Sequence, residues 1–336
     1  MKEAICYEKL QEDSVHCFLC AQHCRIKRGK RGKCGVRENR EGQLWSLVYG
    51  KLIAQHIDPI EKKPLYHFYP GSRSYSIATA GCNFRCLFCQ NADISQGPRE
   101  LGTIYGQHVT PETVVEEARQ AGCKSISYTY TEPTIFMEYA VDVGRLAHAA
   151  GIKNVFVSNG FMTQESLAAM APYLDAASVD LKAFTDQFYH DQCGAKLEPV
   201  LKTLERMKQA GIWLEVTTLL IPGLNDDPVE LRELALFLRH LGAEIPWHIS
   251  RFHPTYRLTD RPSTPVSTLR MARDIGLEAG LKYVYLGNVP GDEGENTRCH
   301  NCGTLLIKRF GFSIKQEGLD GPRCRSCGVE MVGVGV

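Results

Sequence analysis

The sequence predicts an α/β protein: a partial (β/α)6, TIM-like barrel with small cysteine-rich appendages at both ends. Three observations carry this. From residue 75 to about residue 286, apolar strand-like runs alternate strictly with helix-length amphipathic ones, the pattern of a parallel sheet with crossover helices. No G-x-G-x-x-G fingerprint follows the first strand, which favours a barrel over a doubly wound dinucleotide fold. The 14 cysteines in 336 residues gather in three places, four at 17–34, three at 82–89 and four at 299–327.

The chain is long enough for one core of about 200–250 residues plus appendages. The expected divisions are a cysteine-rich segment over 1–45, the barrel over 46–290 and a second cysteine-rich segment over 291–336. A hydrophobic content of 43% and a charged content of 23% are those of an ordinary globular protein. A formal net charge of +1 gives no reason to expect nucleic acid or another acidic polymer as partner. The first residues lack the apolar core of a signal peptide, and no run of eighteen uncharged apolar residues could cross a bilayer. The expected location is therefore cytoplasmic, with no membrane partner. In that reducing compartment cysteines in clusters read as metal ligands rather than disulfides. Cys6, Cys123 and Cys193 stand apart and read as small buried hydrophobes.

In the first appendage, Cys17-x2-Cys20-x3-Cys24 is followed by a basic, glycine-rich run and then Cys34-Gly35. Four cysteines in eighteen residues can close on zinc or hold an iron–sulfur cluster, and their order does not decide between the two. His23 could replace Cys24 as a ligand. The basic run reads as solvated lysines lining a metal loop rather than a nucleic-acid site. Residues 46–70 read as a connector, with a strand-like stretch at 45–49 and prolines at 59, 64 and 70. Lys62, Lys63, His67 and Tyr69 could face a substrate there, or simply be solvated.

The first barrel strand, over 75–81, ends at Gly81 and delivers Cys82-x3-Cys86-x2-Cys89 onto a loop. Three thiolates suit an iron–sulfur cluster with one iron lacking a protein ligand; the alternative is structural zinc with a distant fourth ligand. A helix follows over 110–122, capped by Thr110 with Pro111 in its first turn. Further strands are expected at 125–130, 154–158, 176–181, 213–221, 247–252 and 283–286. Helices are expected at 134–150, 164–173, 198–210, 228–241 and 266–279. In such a barrel, functional residues collect at the C-terminal ends of the strands. Glu132, Ser158 and Asn159, Asp180 and Lys182, the 217–223 stretch and His253 all fall there. A rim of that composition suits a small, polar, zwitterionic ligand. Asp180 and Lys182 could equally form a rim salt bridge.

The cysteine loop resembles the hallmark of the radical S-adenosylmethionine (SAM) superfamily. In that family three such cysteines hold a [4Fe-4S] cluster, SAM chelates the open iron, and reduction yields a 5′-deoxyadenosyl radical. Tyr128-Thr129-Tyr130-Thr131-Glu132-Pro133 resembles the G-G-E-P segment of the pyruvate formate-lyase activating enzyme family, with Tyr130 and Thr131 in place of both glycines. Val157-Ser158-Asn159-Gly160-Phe161 resembles its T-N-G-F, Asp180-Leu181-Lys182 its D-x-K, and Pro222-Gly223-Leu224-Asn225-Asp226 its P-G-x-x-D; His253 stands where it has a sixth-strand histidine. The resemblance covers roughly 75–280. It implies that Cys82, Cys86 and Cys89 hold the cluster and that Glu132, Ser158, Asn159, Asp180, Lys182 and His253 help bind SAM. It further implies a reductant such as flavodoxin or ferredoxin and a protein substrate, with glycyl-radical generation as one outcome. Modification of another protein, a peptide or RNA is an alternative, as is a non-catalytic iron–sulfur or zinc scaffold that carries electrons. With its cysteine-rich ends included, the chain most resembles the radical SAM member of the AmmeMemoRadiSam system.

The tail carries two C-x2-C-G knuckles, Cys299-x2-Cys302-Gly303 and Cys324-x2-Cys327-Gly328, with a strand-like run at 305–310 between them. A zinc ribbon is the expectation, and rubredoxin-like iron or an auxiliary iron–sulfur cluster the alternative. Folding of so short a segment should depend on its metal.

Overall fold

Strand residues of this chain alternate between two faces, and the two faces differ in chemistry. On one, Ile77, Ile126, Phe156, Ala177, Val179, Leu214, Val216 and Ile249 join the large apolar core. On the other, Ser74 bonds Ser127 at 2.5 Å, Ser178 meets Thr217 at 3.5 Å, and Glu215 bonds His248 at 2.7 Å. A sheet with helices on its apolar face and polar groups on its concave one is a half-barrel with a polar lumen.

A computed structural model describes residues 1–336. The main sheet has nine strands: β1 (Lys51–Pro59), β2 (Arg73–Thr79), β3 (Gln107–His108), β4 (Ser125–Tyr128), β5 (Lys153–Ser158), β6 (Ala176–Asp180), β7 (Trp213–Leu220), β8 (Trp247–Arg251) and β9 (Val284–Gly287). Their spatial order is β9-β8-β7-β6-β5-β4-β2-β1-β3. The seven strands from β2 to β9, β3 excepted, pair in parallel and in chain order, and so make six crossovers. β1 and β3 extend the β2 edge antiparallel, so the arc stays open between β3 and β9.

The helices are α1 (Ala92–Glu100), α2 (Pro111–Gln120), α3 (Met137–Ala149), α4 (Gln164–Met170), α5 (Glu198–Gln209), α6 (Pro228–Leu241) and α7 (Val266–Glu278). Their starts follow local chemistry. Thr110 caps α2, Thr163 and Ser166 form a capping box on α4, and Asp227 accepts the Val229 and Glu230 amides of α6. The helix expected over 134–150 begins as a 3-10 turn, Pro133–Phe136, before becoming α3. None of the helices is long and apolar enough to cross a membrane.

Residues 46–70 are more than a connector. β1 is a nine-residue strand of the main sheet, and the segment after it plugs the lower mouth of the barrel. Ile60, Leu65 and Phe68 pack on Val155 and Ala176 inside the arc. The amides of Tyr66 and His67 donate to the buried Glu215 carboxylate at 2.9 and 2.8 Å. His67 is buried between the Val332 carbonyl and the Tyr285 hydroxyl, each at 2.6 Å, and Lys63 is buried against Asp58 at 2.6 Å. These two side chains are parts of the floor, not a solvated linker. α1 was also not expected, because Gly97-Pro98 in its last turn reads as a break.

The two ends of the chain attach differently. Val15, Leu19, Ile26, Val36 and Val48 belong to the same apolar core as the barrel, and Arg37 forms a buried ion pair with Glu138 of α3 at 2.7 Å. The C-terminal hairpin (Leu305–Phe310 with Ser313–Gln316) has a small core of its own around Cys299, Leu306, Ile307, Leu319, Cys324 and Met331.

Candidate active site

Every strand end at the upper rim turns on short-range geometry. Gly81 leaves β2 at φ +104°, and its amide donates to the Ile94 carbonyl at 2.9 Å. A Cβ at this position would meet Val36 Cγ1 at 2.7 Å and the Cys34 carbonyl oxygen at 3.1 Å, so only glycine fits. The loop that follows is pinned from both sides. Arg99 of α1 donates to the Cys82 carbonyl at 3.3 Å and also reaches the Phe84 carbonyl. The Arg85 and Leu87 amides donate to the Cys193 and Gln192 carbonyls, each at 2.9 Å.

Donors surround the loop sulfurs. The Phe84 amide reaches Cys82 Sγ at 3.4 Å, Asn159 Nδ2 reaches the same sulfur at 3.8 Å, and Ser95 Oγ lies 3.2 Å from Cys89 Sγ. Burial pushes the Cys82 thiol well up, and the nearby Glu132 carboxylate pushes the same way. Burial likewise raises Cys89, while a hydrogen bond with Cys193 leads the rise at Cys86. Thiols so placed ionise when a cationic centre binds them. The trio does not bring its sulfurs within the 4.8 Å that a single small ion would need. Three sulfur donors that are spread apart, each near N–H or O–H groups, fit a multi-iron cluster.

Glu132 stands beside this loop, 2% exposed. Its Oε1 accepts from Thr134 N at 3.0 Å, Thr134 Oγ1 at 2.5 Å and Ser158 Oγ at 2.8 Å; its Oε2 accepts from Asn159 N alone, at 2.8 Å. One carboxylate thereby ties the end of β4 to the end of β5 and keeps acceptor capacity on one oxygen. Burial raises its pKa, and the Thr134, Asn159 and Ser158 donors oppose that. Asn159 Nδ2 also bonds Asn83 Oδ1 at 2.8 Å, which links β5 to the cysteine loop.

The sequence from 76 to 235 matches the family model described as the radical SAM superfamily. The chain is 50% identical over 331 residues to the uncharacterized protein MJ0808 of Methanocaldococcus jannaschii, covering 98% of both chains. The chain belongs to the radical SAM superfamily. It is also 25% identical over 254 residues to a GTP 3′,8-cyclase of Pelotomaculum thermopropionicum, covering 69% of this chain and 77% of that one. A pyruvate formate-lyase-activating enzyme of Staphylococcus epidermidis is 24% identical over 197 residues, 55% of this chain and 76% of its own. Among solved structures, a radical SAM methyltransferase from Sphaerobacter thermophilus superposes with a TM-score of 0.52 at 18% identity, over 68% of this chain and 71% of that one. That likeness is one of fold. Membership implies SAM and a [4Fe-4S] cluster as the working group, and the loop trio fits the cluster on the chemistry just described.

Around the rest of the radical SAM rim the expected residues are not all together. Lys182 Nζ bonds Asp180 Oδ2 at 2.9 Å, so the pair does form the rim salt bridge. Burial works against the Lys182 ammonium, but Asp180 and the Cys86 and Cys193 sulfurs raise its pKa above the ordinary value. That places Lys182 on the loop-cysteine side. His253 is exposed and bonds Ser263 Oγ at 3.0 Å, and no hydrogen bond ties it to the Glu132 group.

Several participants carried no sequence signal. Cys193 is a buried singleton that helps push the Cys86 thiol up. Gln22 Nε2 donates to the Asn83 and Gly194 carbonyls at 3.0 and 3.1 Å, which joins the N-terminal segment to the loop. Asn225 Nδ2 donates to the Lys182 carbonyl at 2.7 Å; its only sequence signal is its place in the Pro222-Gly223-Leu224-Asn225-Asp226 resemblance.

The two outer cysteine sets differ in geometry. Cys299, Cys302, Cys324 and Cys327 bring all four sulfurs within 4.8 Å of one another. Cys299 and Cys327 are 3.6 Å apart, Cys302 and Cys324 3.7 Å. A tetrahedron with metal–sulfur bonds of about 2.3 Å has edges of about 3.8 Å. Gly303 and Gly328, at φ +74° and +73°, return amides to the Cys299 and Cys324 carbonyls and so form both knuckles. Cys17, Cys20, Cys24 and Cys34 do not make such a tight group.

Proposed function

We propose that this protein cleaves SAM reductively at a [4Fe-4S] cluster held by Cys82, Cys86 and Cys89 and abstracts hydrogen from a partner protein, with glycyl-radical generation as the leading case. The observation that carries the reading is the three-sulfur loop beside the buried Glu132 carboxylate, at the end of the barrel opposite the 60–69 plug. When bound, the cluster and SAM supply a 5′-deoxyadenosyl radical. The chain's own residues bind and orient. Glu132 Oε2 offers a charged acceptor to the SAM ammonium, and the Ser158 and Asn159 contacts fix its direction. Asp180 and Lys182 present a paired acceptor and donor on the neighbouring strand end, and His253 holds the outer edge. The plug keeps water from entering from below, which protects a reactive intermediate. The activating-enzyme relative supports a protein substrate.

In the same reading the protein works in the cytoplasm with a reductant of the flavodoxin or ferredoxin class. Its units are an N-terminal metal segment (1–45), the barrel (46–290) and a C-terminal ribbon (291–336) whose compact four-sulfur tetrahedron takes zinc. The test is anaerobic reconstitution with iron and sulfide, then SAM and dithionite. 5′-Deoxyadenosine is expected; none from protein with a full cluster would leave an electron carrier as the reading. A glycyl doublet in electron paramagnetic resonance (EPR) on a candidate partner is expected for the activase case. SAM cleavage without that doublet across candidate partners would shift the substrate to another protein, a peptide or RNA.

A further inference from the structure

Cys17, Cys20, Cys24 and Cys34 line one largely enclosed, mainly apolar pocket, closed on other sides by Arg37 and Ile135. Antiparallel pairing brings Cys17 opposite Cys24, while Cys20 and Cys34 arrive on the turns that flank these strands. The four sulfurs therefore face a common space, yet no three of them lie within 4.8 Å. The C-terminal set, by contrast, has the edges of a single-ion tetrahedron. The N-terminal four surround something larger than one ion.

Arg37 adds an independent observation. It is 1% exposed, and its Nη2 is used by the Ile5 carbonyl and by Glu138, each at 2.7 Å. Its Nε and Nη1 are buried without a partner. Two unsatisfied guanidinium donors on the wall of a cysteine-lined cavity are a substantial penalty unless an anionic acceptor occupies it. The Lys33 amide also points at Cys24 Sγ, at 3.5 Å. Bridging sulfides and thiolates accept such donors.

We propose that Cys17, Cys20, Cys24 and Cys34 hold a second [4Fe-4S] cluster, with Arg37 donating to its sulfur atoms. All four irons would have protein ligands, so this centre binds no SAM. It also lies against the first. The Cys34 carbonyl is what a Cβ on Gly81 would strike, and Gly81 precedes Cys82. Gln22, on the turn between Cys20 and Cys24, bonds the Asn83 carbonyl. Two one-electron centres this close interact magnetically when both are reduced. This second statement rests on the proposed loop cluster; the first does not.

The experiment uses full-length protein reconstituted anaerobically. A Cys82→Ala, Cys86→Ala, Cys89→Ala variant should keep about four irons and four acid-labile sulfides per chain, with the Mössbauer signature of a [4Fe-4S]²⁺ centre. Zinc there, or iron without sulfide, overturns the proposal. Should that variant not fold, wild-type protein compared with the Cys20→Ser, Cys34→Ser variant gives the same decision: a loss of about four irons and four sulfides in the variant supports the proposal, and an unchanged count overturns it. The adjacency is read by EPR of dithionite-reduced samples. The wild-type spectrum should be broadened relative to the sum of the loop variant and a Cys20→Ser, Cys34→Ser variant. A simple sum overturns the adjacency while leaving the cluster assignment to the iron and sulfide count.

Discussion

Glu132→Gln isolates what the buried carboxylate does. The side chain keeps its size, and a carbonyl oxygen can retain the Oε1 position with its three donors from Thr134 and Ser158. The amide nitrogen then takes the Oε2 position, where the Asn159 N–H now points at it from 2.8 Å. One buried donor loses its acceptor, which destabilises the rim by about 1–3 kcal/mol. The larger effect is on SAM. A charge-assisted hydrogen bond to its ammonium is worth about 1.5–3 kcal/mol, so Kd should rise roughly 10- to 150-fold. Iron content should not change, since Glu132 is not a ligand. Anaerobic calorimetric titration of SAM into cluster-loaded protein measures the affinity, and an iron and sulfide count on the same sample controls for the cluster. If the variant binds SAM within twofold of the wild type with its cluster intact, Glu132 is only a brace between β4 and β5, and the assignment of its free oxygen to the ammonium is wrong.

Gly81→Ala should lower loop-cluster loading and destabilise the protein by about 1–3 kcal/mol, because the residue sits at φ +104° and the new methyl strikes Val36 and the Cys34 carbonyl; normal iron content with normal melting would refute the close approach. Acid should loosen the barrel floor. Burial depresses the His67 pKa from 6.5 to about 4, so on acidification the unfolded chain takes up the proton first. Stability is thus lost from pH 6.5 down to about pH 4, by up to about 3 kcal/mol. Denaturant melts at stepped pH should show that slope, and His67→Gln should flatten it; an unchanged slope in the variant would place the titration elsewhere. Cys299→Ser with Cys324→Ser should abolish metal binding in the tail and raise hydrogen exchange over 297–331, whose core is separate, while β2 to β9 stay protected. Asp227→Ala removes the acceptor for two α6 amides and should cost about 1 kcal/mol by chemical denaturation, with SAM affinity unchanged.

The parts of this molecule that were legible in the sequence are those where local chemistry and tertiary need agree. Pro111 after Thr110, and Pro228 after Asp227, start helices whatever surrounds them. The parallel strands announced themselves because one face of each is apolar against the helices. β1 and α1 were hidden for opposite reasons. β1 lies near the open edge with only part of its length buried, so its pattern resembles a polar connector. α1 breaks the rule against an internal proline because tertiary bonds hold it: Arg99 grips the carbonyls of the cysteine loop and Ile94 receives the Gly81 amide. The same hidden strand accounts for the chief departure from the activating-enzyme pattern. Tyr130 stands where that family has glycine, and it does adopt the left-handed conformation, at φ +63°. A tyrosine is strained there by roughly 1 kcal/mol or more. Its hydroxyl bonds Asp58 at the end of β1, Lys63 Nζ lies 4.6 Å from its ring, and Asn91 Nδ2 donates to its carbonyl at 2.9 Å. These contacts offset the strain. A side chain that reaches from the Glu132 rim to Asp58 at the end of β1 therefore stands where that family has a glycine, and contacts to the barrel floor hold it there.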